Sequence, residues 1–255
     1  FKQTTNMARI FKDCLEMIQE MDRELKVSGI TVPVKHYQNQ ELTGLNQNTK
    51  ELIGVNFVIS KPWLKKREML DFLFKDEAQK IEDYCIQEIK DRVDRRRLNP
   101  GNSYKIRMDL WQKLMSKGKR DVDQFDYTYS ERINYAHQLD NAIAALRDDI
   151  HTRRAMIMIF QPEDTMESMG YQTRIPCSVS YQFLIRNNKL MILYYIRSND
   201  YFKHFAIDIW LTHAIQEYVC QQLQDTYPGL KVGPLNYYAG SFHAYNEDLS
   251  NWVIF

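Results

Sequence analysis

Apolar residues recur at spacings of three and four from Thr5 to Lys26, where Met7, Ile10, Phe11, Cys14, Ile18, Met21 and Leu25 form one stripe. That period predicts an opening amphipathic helix. Polar turn material follows, and the run Glu51 to Ile59 reads as a strand that stops before Pro62. A second helical period spans Met69 to Val93, with Leu70, Leu73, Phe74, Ala78, Ile81, Cys85 and Ile89 on one side. Residues 92–105 interrupt it. Arg95-Arg96-Arg97, Pro100 and Gly101 there predict a solvated surface loop or an insertion. A third helix is expected over Ser130 to Leu146, capped by Ser130, with Ile133, Ala136, Leu139, Ile143 and Leu146 facing inward.

The C-terminal half is richer in strands. Ala155 to Phe160, Ser178 to Ile185 and Leu190 to Arg197 have strand character, and the last two meet at Arg186-Asn187-Asn188-Lys189. Paired asparagines tolerate the positive φ of a tight hairpin. Ile207 to Leu223 reads as a long apolar helix and Leu235 to Tyr245 as a final strand. Strands and helices alternate without a regular βαβ rhythm and without internal repeats. The expectation is therefore one α+β domain over residues 1–255, a mixed sheet flanked by helices.

Composition narrows the function classes. With 44% hydrophobic and 26% charged residues in a chain of 255, a substantial core is expected and wholesale disorder is excluded. Thirty-four basic residues face 33 acidic ones, a net charge of +1. This argues against direct nucleic-acid binding, which usually needs a basic surplus for phosphate contacts. There is no apolar run of about 18 residues, and Phe1-Lys2-Gln3-Thr4-Thr5 has no signal-peptide core, which argues against a membrane span and export. The first residue is Phe rather than Met, so an upstream piece is one expectation.

The four cysteines, at 14, 85, 177 and 220, show neither metal-ligand spacing nor a disulfide framework. Cys14, Cys85 and Cys220 lie in helical patterns, where a thiol is usually a small core hydrophobe. Cys177 follows Pro176 at the mouth of a strand, where a thiolate is exposed more readily; the pattern alone leaves both a structural and a reactive reading open. Phosphate loops and common hydrolase, metalloprotease and kinase motifs are lacking. Instead, polar residues gather at predicted strand ends: Arg153-Arg154, Cys177, Arg197-Ser198-Asn199-Asp200, Asp208, and His243 with Tyr245. Each alone reads equally well as a solvated rim.

The ordered set is more specific. Pro176-Cys177, Tyr181-Gln182-Phe183, Arg197-Ser198-Asn199-Asp200 and Gly240-Ser241-Phe242-His243-Ala244-Tyr245, preceded by Arg153-Arg154, resemble the thymidylate synthase superfamily in order and interval, chiefly from Asp148 to Trp252. The resemblance implies a thiol-dependent, cytoplasmic one-carbon transferase (in the host cytoplasm if phage-encoded). It would use 5,10-methylenetetrahydrofolate as co-substrate, need no metal, and form a sheet-mediated homodimer. Cys177 matches the nucleophile that adds to C6 of a pyrimidine nucleotide. Arg197 matches the arginine near sulfur and phosphate, Ser198 a further phosphate ligand, and Arg153 and Arg154 the pair shared with the partner subunit's phosphate site. Guanidinium suits phosphate because it donates paired hydrogen bonds. His243 and Tyr245 match the groups on the sugar 3′-hydroxyl, and Asp200 the contact to the pterin. Trp111 resembles the tryptophan that packs on folate and Tyr127 its neighbouring tyrosine, although core packing explains both. Glu82 is the positional candidate for the water-ordering glutamate; a surface charge is its plainer reading.

Position 208 bears on the base. Thymidylate synthases carry asparagine there, whose amide accepts from uracil N3–H and donates to O4. Asp208 resembles the phage deoxycytidylate hydroxymethylases instead, as does Asn199 within the Arg-Ser-Asn-Asp motif. A carboxyl suits the cytosine amino group, and when protonated also donates to N3. Facing uracil O4, it would lose about 1–3 kcal/mol of binding. The implied reaction converts dCMP to 5-hydroxymethyl-dCMP. A dCMP, CMP or dUMP methylase or hydroxymethylase, and a catalytically silent nucleotide-binding homologue, remain alternatives. The sequence departs from the family at Ser178, Ile196 and Lys203-His204, no N-terminal phosphate arginine stands out, and little of the C-terminal closing segment precedes Phe255.

Overall fold

The C-terminal strands pair into the middle of a seven-stranded sheet. The computed structural model describes residues 8–37, 40–41, 48–117, 123–167 and 173–251. Its strands are β1 (Arg9–Phe11), β2 (Ile30–Pro33), β3 (His36–Tyr37), β4 (Gln40–Glu41), β5 (Asn48–Ile59), β6 (Ser116–Lys117), β7 (Asp123–Gln124), β8 (Met156–Met158), β9 (Ser178–Arg186), β10 (Lys189–Asp200) and β11 (Lys231–Tyr245). Its helices are α1 (Cys14–Ser28), α2 (Lys66–Phe74), α3 (Ala78–Arg92), α4 (Met108–Trp111), α5 (Tyr129–Asn134), α6 (Gln138–Asp148), α7 (Pro162–Glu167) and α8 (Ala206–Gln222). The main sheet runs β1-β5-β11-β10-β9-β8, with β2 also on β5; β3–β4 and β6–β7 are separate hairpins. Within the main sheet β1–β5 and β10–β11 are parallel and the remaining pairs antiparallel, the mixed sheet that the pattern predicts.

The hairpin between β9 and β10 turns at Asn187 and Asn188, with φ of 50° and 55°. The parallel step from β10 to β11 needs a crossover, and α8 supplies it. It packs against β10, β11, α2 and α3, and is apolar nearly all round because it is covered on nearly every side. Across the inner sheet face Phe57 stacks on Tyr237 at 4.6 Å and Tyr181 on Tyr194 at 5.0 Å. The buried hydroxyls are used: Tyr194 meets Ser178 Oγ at 2.6 Å, and Tyr237 accepts from Asn199 at 3.0 Å. Among the described residues no helix is long and apolar enough to cross a membrane.

Three predicted helices differ from those observed. Residues 9–11 form β1, parallel to β5 with Phe11 opposite Ile59, and the helix starts only at Cys14. Asp13 ends the strand and caps α1 by accepting from the Leu15 and Glu16 amides. Thr5 to Met7 lie outside the described residues. The stretch Met69 to Val93 is two helices, broken at Lys75 (φ 51°) by a 3₁₀ turn. Ser130 to Leu146 likewise divides into α5 and α6 at Ala136 and His137, with φ of 48° and 58°. The cap is Thr128, reciprocated by Glu131, while Ser130 Oγ accepts from the Leu98 amide. The 92–105 loop is pinned rather than loose. Asp91 accepts from the Asn102 and Ser103 amides at 2.6 and 2.8 Å, and a Cβ at Gly101 would strike that carboxylate.

Gly240 lies where β11 passes closest to β10: a Cβ there would sit 2.8 Å from the Arg197 carbonyl oxygen. Gly240→Ala is expected to force the strands apart and lower stability by about 1–3 kcal/mol, read as a fall in the urea midpoint with m unchanged.

Candidate active site

One end of the sheet is built by registers that the motifs themselves fix. Between Tyr195 and Ile196 the β9–β10 pairing slips, so that Ile196 faces Ser178. The Arg197 amide then donates to the Cys177 carbonyl at 2.8 Å. Its guanidinium donates to the carbonyls of Pro176 (2.9 Å) and Ile175 (3.4 Å), and Nη2 stands 3.9 Å from Cys177 Sγ. One arginine therefore binds the main chain that carries the thiol and puts positive charge beside the sulfur. Across the β10–β11 ladder Ser198 pairs with Ser241 and Asp200 with His243, which brings the Arg-Ser-Asn-Asp motif beside the His and Tyr of the last strand.

These residues open on a cavity of about 400 Å³. Cys177, Arg197, Ser198, Asp200, Asp208, His243, Tyr245, Trp111 and Tyr127 all line it. Glu82, Arg153 and Arg154 do not. Glu82 faces Arg67 of α2, at 2.9 Å, and does not line the cavity, whereas Glu88 of the same helix does. The reason is helical phase. Ile81, Tyr84, Cys85 and Arg92 are buried, half-buried Glu88 falls on the same stripe at steps of three and four, and Glu82 is a residue out of step. An acidic and a basic residue interrupting that stripe were the signal that the sequence reading passed over. Arg153 and Arg154 are exposed just ahead of β8, where the Arg153 carbonyl accepts from Gln182.

Low polarity governs the ionisable groups. Asp208, in the first turn of α8, is pushed up to about 7 by burial, against the pull of Arg92 and the Asn199 amide. Asp200 is also raised to about 7 by burial, opposed by Lys203. Its Oδ1 accepts from the Phe202 and Lys203 amides, capping a π-helical turn at Tyr201–Phe205, and its Oδ2 is buried with no hydrogen-bond partner among the described residues. Burial with the charges of Lys203 and Arg197 lowers His243 to about 4, so the ring is neutral; its Nδ1 is 3.2 Å from Ser241 Oγ, which donates to Glu51.

The far end of the cavity is aromatic. The Trp111 ring lies 6.4 Å from Tyr84, 6.1 Å from Phe125 and 5.9 Å from His204. Arg174 spreads over this group, 5.5 Å from Trp111 and 5.4 Å from Tyr127. His204 is lowered to about 3 by burial and by Arg107, Arg174 and Lys203, and is uncharged at neutral pH. Burial raises Tyr127 to about 12; its hydroxyl donates to the Ile175 carbonyl at 3.4 Å. The arrangement offers a thiol beside a cation, a carboxyl raised to about 7, and flat aromatic walls beside a carboxyl oxygen that has no hydrogen-bond partner among the described residues.

The fold matches known structures. It superposes on the crystal structure of thymidylate synthase from phage T4 with a TM-score of 0.64 at 19% identity, covering 91% of this chain and 77% of that one. In sequence it is 25% identical over 207 residues to the deoxycytidylate 5-hydroxymethyltransferase of Enterobacteria phage T4, 78% of this chain and 76% of that protein. An archaeal protein named after thymidylate synthase, from Methanosarcina barkeri, is 26% identical over 56% of this chain; the aligned stretch spans 63% of that relative's length. The thymidylate synthase family profile matches residues 46–253. The thiol, the arginine that clamps it, and the His–Tyr end of the last strand thus occupy a family architecture that covers most of the sequence, and the chain belongs to the thymidylate synthase family.

Proposed function

We propose that the chain is a folate-dependent pyrimidine C5 hydroxymethyltransferase acting on dCMP. The observation that carries this reading is Asp208: a carboxyl that keeps its proton to about pH 7 in the same cavity as Cys177. In that state it offers one donor and one acceptor, the complement of cytosine N3 and its amino group. The phage T4 relative's activity agrees with this assignment.

Cys177 adds to C6 of the base, which loads electron density onto C5. Arg197 supports the sulfur and, with Ser198, takes the phosphate; His243 and Tyr245 hold the sugar. The aromatic end fits a pterin, with the Trp111 ring as a stacking surface and the unpartnered Asp200 Oδ2 as a hydrogen-bonding site. When bound there, 5,10-methylenetetrahydrofolate supplies the one-carbon unit. Glu88, held by Arg92 at 2.8 Å and by the Ser103 hydroxyl at 2.5 Å, is placed to orient the water that completes a hydroxymethyl group.

The outer sheet face suits a second copy. Ile53, Met156, Met158 and Tyr238 are exposed there, and Tyr238 stacks on Tyr195 at 4.9 Å. In such a dimer Arg153 and Arg154 reach the partner's phosphate site.

Folate-dependent tritium release from C5-labelled dCMP is the direct assay, with dUMP and CMP as competitors. A methyl in place of a hydroxymethyl product would overturn the water step. Cys177→Ala is expected to abolish release, a loss of at least about 10³-fold. Asp208→Asn is expected to move preference from dCMP towards dUMP by about tenfold or more; unchanged preference would remove Asp208 from base recognition. For the shared site, mixing Cys177→Ala chains with Arg153→Ala/Arg154→Ala chains should restore release that neither shows alone, and absence of recovery would leave the arginines outside any partner site.

A further inference from the structure

Arg92 is an unusual residue to find in the wall of this cavity. It ends the buried stripe of α3 and is 3% exposed. Nε donates to Glu88 at 2.8 Å, Nη1 reaches the Tyr181 hydroxyl at 3.4 Å, and the guanidinium carbon lies 4.1 Å from the centre of the Tyr129 ring. Its carbonyl accepts from Asn134 at 2.9 Å, which ties the turn to α5. Asp208 and Glu88 both line the same cavity, and the arginine gives its ion pair to Glu88.

The other groups around Asp208 are neutral. From α3 comes Cys85, whose thiol burial pushes far up; from α5, Tyr129; from β9, Tyr181. Tyr194 and Asn199 approach from β10 and Tyr237 from β11, and burial holds both of these phenols protonated. Arg92 and Glu88 are thus the charged groups that act on Asp208, in opposite senses.

We propose that Arg92 is a positioning residue for base selection: by committing its charge to Glu88 and its flat face to Tyr129, it leaves Asp208 a proton donor to the pyrimidine ring. Arg92 makes its ion pair with Glu88 and acts on Asp208 through its charge alone. Paired with Glu88, it leaves the base reader able to act as a carboxylic acid. Were the pairing reversed, an ionised Asp208 would face cytosine N3, acceptor against acceptor, and the amino group alone would be read. The inference rests on the assignment of dCMP as substrate.

Direct binding of dCMP and dUMP to the whole chain, by equilibrium dialysis between pH 5 and 9 without folate, tests it apart from turnover. The wild type is expected to bind dCMP tightly at low pH and to weaken by one proton's dependence as pH rises through the Asp208 titration. Glu88→Gln releases the arginine to act on Asp208, so this limb should move down by about one unit, roughly a tenfold loss of dCMP affinity at a fixed pH on the limb. Arg92→Met should move it in the opposite direction, and Arg92→Lys, which keeps the charge, should leave it in place. A structural role alone would lower affinity at every pH without moving the limb. Preference of the wild type for dUMP would overturn the substrate assignment. Preference for dCMP with a limb that is absent, or unmoved in Glu88→Gln, would overturn only the role of Arg92. Should Arg92→Met fail to fold, Glu88→Gln and Arg92→Lys still decide the matter.

Discussion

The grip of Arg197 on the chain before β9 is the contact on which the site depends. Its amide and guanidinium bind three consecutive carbonyls, those of Ile175, Pro176 and Cys177, and the same side chain stands beside the sulfur. The β9–β10 register has to slip by one residue to allow it, and Gly240 has to lack a side chain so that β11 can lie close behind. Strand pairing, backbone hydrogen bonding and the placement of a reactive group are here a single constraint. A change that loosens the ladder displaces the Cys177 thiol as well.

Burial then decides what the surrounding groups can be. In a cavity walled by tyrosines and Trp111, charge is costly unless paired. The carboxyls of Asp200 and Asp208 respond by keeping their protons to about pH 7, and the imidazoles of His204 and His243 by staying neutral. Charge persists where it has a partner, as in Arg92 with Glu88 or Lys203 with Glu247 and Asp248. For the two aspartates the effect on folding has a definite sign. A carboxyl that titrates higher in the folded chain than in the unfolded one opposes folding increasingly as pH rises from the ordinary carboxylate range to about 7, and no further above it. The cavity is to that extent a strained part of the fold, which ligands that satisfy Asp200 and Asp208 relieve.

Much of this was legible in the sequence because short-range rules governed it. The Asn187-Asn188 hairpin needs only two residues that tolerate positive φ, and the apolar α8 only enough length to cross from β10 to β11. The motif residues of the last three strands were legible as a set because the β10–β11 register carries them to one place. What escaped was decided at longer range. Nothing in the periodicity around Lys75 or Ala136-His137 announces a left-handed residue, since tertiary packing imposes both breaks. Arg9 to Phe11 fits a helical stripe as well as a strand, and the open edge of β5 selects the strand. Glu88 was not singled out, because a charge on an apolar stripe looks like an error of pattern. In the fold it is the mark of a site.

The same logic bears on how one scaffold reads two bases. Exchanging asparagine for aspartate at the start of α8 changes the hydrogen-bonding complement only if the new carboxyl keeps its proton. On the reading proposed for this site, burial holds that proton, and the ion pair of Arg92 with Glu88 limits how far the guanidinium draws it off. A guanidinium lacking its own carboxylate would pull harder on that proton. On that reading, base specificity belongs to a buried charge balance spanning α3 and α8, and the residue at 208 expresses it in the company of the pair at 88 and 92.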